Sequence, residues 1–106
     1  MNKMTTRATG AAAIAVTIAP GHAWQLHEIR VHLSAVGASG SLTATMDAGA
    51  GATYDAVIFS QDMTSVTNLL WQPELPVIFN ASDELDIAWA NAGGKTYGIE
   101  IIHSLI

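Results

Sequence analysis

Three short stretches of this chain hold residue types that could do chemistry. The first is "NAGGKT", Asn91 to Thr96, which closes on the Gly-Lys-Thr of a phosphate-binding loop. Such a loop surrounds a nucleotide's phosphates with backbone N–H groups and the N-terminus of a following helix. It therefore needs a glycine five residues before the Gly94-Lys95 pair and a helix after it, whereas that position is Trp89 and the residues after Thr96 alternate as a strand. The stretch reads instead as a hairpin loop whose glycines supply positive φ. On this reading Leu85 to Ala90 and Tyr97 to His103 are antiparallel neighbours, with Leu85, Ile87, Trp89, Ile99 and Ile101 facing the core.

The second stretch, "HEIRVH", resembles the two-histidine zinc signature. That signature places its histidines at i and i+4 on a helix, but here i+4 from His27 is Val31 and His32 stands at i+5. On a strand the two would point to opposite faces. The third, "DAGAGATYD", brackets a glycine-rich run with Asp47 and Asp55. It lacks the alternating oxygen ligands and terminal glutamate of a calcium loop, and reads as a flexible connection between strands. "NAS" at Asn80 to Ser82 matches a glycosylation acceptor, which has no weight without a secretory route. No nucleophile elbow marks any serine. The expectation is a protein that is not an enzyme and holds neither cofactor nor metal.

Composition narrows the partners. The formal net charge is −5, and the basic residues are Lys3, Arg7, Arg30 and Lys95, too few to neutralise a run of phosphates, so nucleic acid is not expected as a ligand. There is no cysteine, and therefore neither a disulfide framework nor a thiolate zinc site. Charged residues are 12% of the chain, about half of what soluble domains usually carry. This points to a surface covered by a partner, although much of the 50% hydrophobic content is alanine, which buries little area per residue. The apolar stretch from Ala11 to Ala19 follows Lys3 and Arg7 like a leader peptide, but it is short, Thr17 interrupts it, and it cannot span a membrane.

The elements that must position all of this are strands. In "EIRVHLS", Ile29, Val31 and Leu33 share one face and Glu28, Arg30 and His32 the other, the alternation of a half-buried strand. "SLTATMD", "ELDIAWA" and "YGIEIIHSL" repeat it, and "AIAVTIA", "YDAVIFS", "TNLLWQ" and "LPVIFNA" supply four more candidates between glycine, proline and Asn/Asp/Ser clusters. Eight short strands without an amphipathic helix predict a single all-β antiparallel sandwich or barrel over residues 11–106. Residues 1–10 are polar and read as an N-terminal arm, disordered unless a partner ties it down. Trp89 belongs to the core, whereas Trp24 and Trp71 sit near strand ends and are candidate interface residues, with Lys3, Met4 and Arg7 of the arm.

Two longer runs, "WQLHEIRVHLSAVGASGSLTATMDAGAGATYDAVIFSQDM" and "LLWQPELPVIFNASDELDIAWANAGGKTYGIEII", carry the patterns "W.L.EIRVHLS", "WQPELP" and "D.LDIAWAN..G.TYGIEI". Over about residues 20 to 103 the chain resembles small virion proteins of tailed bacteriophages, of the jelly-roll kind that decorate or cement the capsid. The resemblance implies a jelly-roll-like sandwich and a structural protein of the virion. It would be made in the host cytoplasm and bound, as a homotrimer or homodimer, to the major capsid protein lattice on the outer surface of the head. On such a shell Lys3 and Arg7 would pair with acidic groups and Met4 would enter an apolar crevice. The alternative is a head-fibre, tail or spike module that binds a host glycan through exposed tryptophan and asparagine. No shaft or coiled-coil segment accompanies the domain here, which favours decoration.

Overall fold

A computed structural model describes residues 2–106. Nine strands run in chain order: β1 (Met4–Gly10), β2 (Ile14–Ile18), β3 (Trp24–Leu33), β4 (Ser41–Asp47), β5 (Ala56–Asp62), β6 (Asn68–Trp71), β7 (Val77–Phe79), β8 (Glu84–Trp89) and β9 (Tyr97–Leu105). They form two antiparallel sheets. The first has the order β1-β9-β3-β6, with β7 also paired to β3, and the second has the order β2-β8-β4-β5. With β6 and β7 sharing one position beside β3, there are eight positions in two facing four-position sheets, and the chain passes between them as in a jelly roll. The all-β antiparallel sandwich read from the sequence is the observed fold.

The inward halves of both sheets meet in one core. Leu26, Ile29, Val31 and Leu33 of β3 and Ile99 and Ile101 of β9 pack against Ile14, Leu42, Leu85, Ile87 and Trp89 of the second sheet, all of them buried. Trp24 stacks on Phe79 with ring centroids 4.1 Å apart and planes 15° from parallel.

Three sequence readings change at this level. "NAGGKT" does not join neighbouring strands: β8 pairs with β2 and β4, β9 with β1 and β3, so the stretch carries the chain from one sheet to the other. All five inward residues expected of the pair are buried all the same, because two facing sheets bury the same alternation that a hairpin would. The crossing is fixed by Asn91, held at φ 49°. Its side-chain amide donates to the Ala12 and Lys95 carbonyls at 2.9 and 2.8 Å, and its Oδ1 accepts from the Lys95 N–H at 3.1 Å.

The second change concerns the N-terminal segment. Met1 lies outside the described residues, and Met4–Gly10 form β1, paired residue for residue with β9 from Met4↔His103 to Gly10↔Tyr97. Thr6, Ala8 and Gly10 turn inward and Thr5, Arg7 and Thr9 outward, so the segment is the sandwich's edge strand. The third is Trp24, expected at an interface and found fully buried. The inward residues of β3 are the even-numbered Trp24 and Leu26, then the odd-numbered Ile29, Val31 and Leu33. A β-bulge at His27, where the partner register moves from Leu26↔His103 to Glu28↔Ile102, makes that change of parity without turning either half outward.

Candidate functional site

The outward face of the first sheet carries the most developed surface of the described residues. Two cross-strand rows define it. One runs Thr9, Gly98, His32, Asn68 across β1, β9, β3 and β6; the next runs Arg7, Glu100, Arg30, Leu70 across the same strands. Over these rows lies a concavity of about 870 Å³. Its low point is Gly98, the one position of the eight with no side chain, and a Cβ built there meets nothing within 4 Å.

The second row is an ion-pair ladder. Arg7 Nε donates to Glu100 Oε2 at 2.7 Å, and Arg30 Nη1 stands 3.8 Å from Glu100 Oε1. Directly opposed charges on neighbouring strands favour this register. Arg30 Nε also donates to Glu28, which accepts a second hydrogen bond from Gln72. Burial pushes the Glu28 carboxyl up, but the hydrogen bonds from Gln72 and Arg30 outweigh it and hold the group below the usual carboxylate range. In the first row, His32 Nδ1 lies 2.8 Å from Asn68 Oδ1, and Nε2 is left without a protein partner among the described residues.

Below the ladder lies a second, smaller concavity of about 410 Å³, lined among others by Lys3, His27, Glu28, Gln72 and Ile102. The His27 bulge turns its ring to the Ser104 hydroxyl, Nε2 to Oγ 2.8 Å, beside Gln25, whose Nε2 donates to the same oxygen at 3.2 Å. His27 thus lies on the same side as His32, contrary to simple alternation. Five residues along a strand still separate them by about 16 Å, too far to share a metal. The contact has the distance of a nucleophile and its base, but Ser104 is buried and out of a substrate's reach. His103, on the inward side, is also buried: Nε2 contacts Thr6 Oγ1 at 3.1 Å, the ring meets Trp24 edge-on, and Nδ1 has no partner among the described residues. Burial, then the nearby His27, pulls the His103 pKa down; burial, then Lys3, does the same for His27.

The residues expected at an interface separate in space. Lys3 and Met4 lie exposed at the start of β1, and Arg7 is drawn into the ladder. Trp24 is inside the core. Trp71 of β6 is half-buried and stacks on Phe59 of β5, centroids 4.8 Å apart, closing the side of the sandwich where the two sheets' edges meet. Asp55 Oδ1 accepts from the Ala48 N–H at 2.8 Å. Asp47 stands with Glu84 and Asp86 on the outward face of the second sheet, their carboxylate oxygens within 4.8 Å of one another.

Sequence reasoning passed over Gly98, His32, Asn68, Arg30 and Glu100 as a group. The available signal was Gly98 itself, a glycine at an outward position inside "YGIEIIHSL", where interior strand glycines mark a bulge or a close approach by something else. Compared with known protein families and with curated proteins, the chain matches none.

Proposed function

We propose that this protein is a non-enzymatic structural subunit of a virion. It decorates and cements the outer surface of a tailed-phage head by binding the lattice of the major capsid protein. The observation that carries this reading is where the exposed apolar side chains fall. Leu70 of β6 and Ile78 of β7, each more than half exposed, turn outward at the edge of the first sheet, and Leu75, the most exposed large apolar side chain among the described residues, lies in the connection between those two strands. β6 also closes one side of the sandwich through the Phe59–Trp71 stack. A concentration of large exposed apolar groups on a chain with few charges is the mark of a surface that a partner covers. The resemblance of the two long runs to capsid decoration proteins supports the capsid lattice as that partner. A subunit that binds only the assembled shell stabilises it by mass action, with no chemistry required.

The test is direct. Purified protein is added to empty heads assembled from the major capsid protein of the same genome, and the copies bound and the temperature at which the heads break are measured. A fixed number of copies per capsomer and a higher breaking temperature are expected. Leu75→Asp combined with Ile78→Asp should reduce occupancy while the free protein unfolds at an unchanged temperature. Heads that take up no protein, or full occupancy by the double variant, would overturn the reading.

A further inference from the structure

The groove over Gly98 is separate from the apolar stretch that the shell-binding reading uses, apart from Leu70 at its rim, and it has a chemistry of its own. An interior strand glycine weakens a sheet. Neither usual reason for keeping one applies here, because the backbone is not left-handed at Gly98 and a side chain would enter open space. What the glycine does provide is a bare backbone floor in the central strand, with Thr9 and His32 as walls on either side.

The unused hydrogen-bonding capacity around that floor is mixed in sign. Among the described residues, the terminal nitrogens of Arg7 are donors without a protein acceptor. Glu100 Oε1 is an acceptor without a hydrogen-bonded protein donor, and His32 Nε2 is a ring nitrogen without a protein partner. A small anion would meet Glu100 and, beneath Arg30, Glu28; a cation would meet Arg7 and Arg30. A ligand group that both donates and accepts meets no such conflict, and the hydroxyl is that group. Planar guanidinium, carboxylate and amide side chains are each suited to two adjacent hydroxyls, and exposed Leu70 at one end of the second row offers a contact for a C–H face. From β1 to β6 the sheet is about 14 Å wide, room for about two or three hexose rings laid across the strands. The concavity of about 870 Å³ is within the usual range of ligand sites.

We propose that this groove binds a short neutral oligosaccharide, seated on Gly98 and held by Arg7, Glu100, His32 and Asn68. The experiment is an NMR titration of the full, ¹⁵N-labelled chain with neutral trisaccharides of glucose, galactose, mannose and N-acetylglucosamine, with a short poly-glutamate peptide as the acidic comparison. At least one trisaccharide is expected to shift the amides of Thr9, Gly98 and His32 together at millimolar concentration or below. Gly98→Leu, which fills the floor, should abolish those shifts. Asn68→Ala should weaken binding about tenfold, the loss of about one net hydrogen bond. Should Gly98→Leu fail to fold, the wild-type shift map and Asn68→Ala decide the matter without it. The proposal fails if none of the four sugars moves those amides, if Gly98→Leu leaves binding intact, or if the acidic peptide alone occupies the groove.

Discussion

The outward faces of the two sheets stand on one core and on the same period-two alternation, yet they are finished differently. The first carries Arg7, Glu100, Arg30, His32 and Asn68 around an open glycine, interrupted by a bulge at His27. The second presents the rows Ala15, Ala88, Thr43, Ser60 and Thr17, Asp86, Thr45, Val57, mostly small side chains, and its strands contain no basic residue. The inward residues of the two sheets do the same work and could trade places in kind. What distinguishes the sheets lies wholly in the outward half of the alternation, where folding makes few demands and residue choice is free to serve binding.

The most severe way to break the comparison is to remove residues 2–10. This takes β1 from the first sheet only and uncovers the length of β9 it pairs with. The free protein is expected to lose its cooperative thermal transition at room temperature. A truncated chain that unfolds like the full one would mean that β1 is an appendage of the first face and no part of the sandwich.

Trp24→Ala attacks the shared half. Emptying the site stacked on Phe79 should cost about 3–5 kcal/mol, a large part of a typical domain's stability, and both faces should disappear in a single urea transition. Asn91→Ala acts where the chain crosses between the sheets. It removes three hydrogen bonds and leaves a residue that disfavours positive φ, for a loss of about 2–3 kcal/mol. Asn91→Gly should lose less, since glycine accepts that backbone conformation.

Acid should affect the first sheet before the second, because His27 and His103, whose pKa values are lowered in the folded protein, both lie on the first. His103 faces Thr6 and Trp24 and has its pKa lowered by burial and then by the charge of nearby His27, so the unfolded chain binds more protons than the folded one once the pH drops toward about 6.5. That contribution to stability is complete above the unfolded value, is lost as pH falls from there toward the folded pKa, and changes no further below it. Glu28, held below the usual carboxylate range, remains ionised over the upper part of this window. Urea midpoints measured from pH ~8 to ~5 should fall, and His103→Asn should flatten the fall. A midpoint that rises toward acid would reverse the assignment.

The smallest effects sharpen the contrast most. Gly98→Ala should raise stability by about 0.5–1 kcal/mol, because the position is open and alanine restricts the unfolded chain more than glycine does. Ala88→Leu, at an exposed outward position of the second sheet, should stay within about 0.5 kcal/mol of the parent. If Gly98→Ala destabilises instead, the glycine is a folding requirement and the openness of the groove is incidental.

How much of this was legible beforehand follows from what alternation encodes. It tells which side chains face inward, so Leu85, Ile87, Trp89, Ile99 and Ile101 were placed correctly. It does not tell which strand lies alongside, so β8 and β9 were joined as neighbours when they belong to facing sheets. β1 escaped notice because an edge strand turning only Thr6, Ala8 and Gly10 inward shows little hydrophobic contrast. Trp24 was set at an interface because it stands at a strand end; the change of parity between Trp24 and Ile29 to Leu33, visible in "WQLHEIRVHL", is the trace of the bulge that turns it inward. The groove was hidden for another reason: its rows draw one residue each from β1, β9, β3 and β6, which are far apart in sequence, and its centre is the absence of a side chain.

The pairing of β9 with both β1 and β3 also sets a timetable. Met4 meets His103 and Leu33 meets Tyr97, so neither early strand can complete its ladder until the ribosome has made Tyr97–Leu105. At roughly 5–20 residues per second, synthesis leaves β1 waiting for several seconds with its inward residues exposed. The second sheet is held back less, since its latest strand is β8. A nascent chain halted before Tyr97 therefore carries an unfinished first sheet. That state, open along β3, is the one in which chaperones, proteases or sister chains would meet this protein.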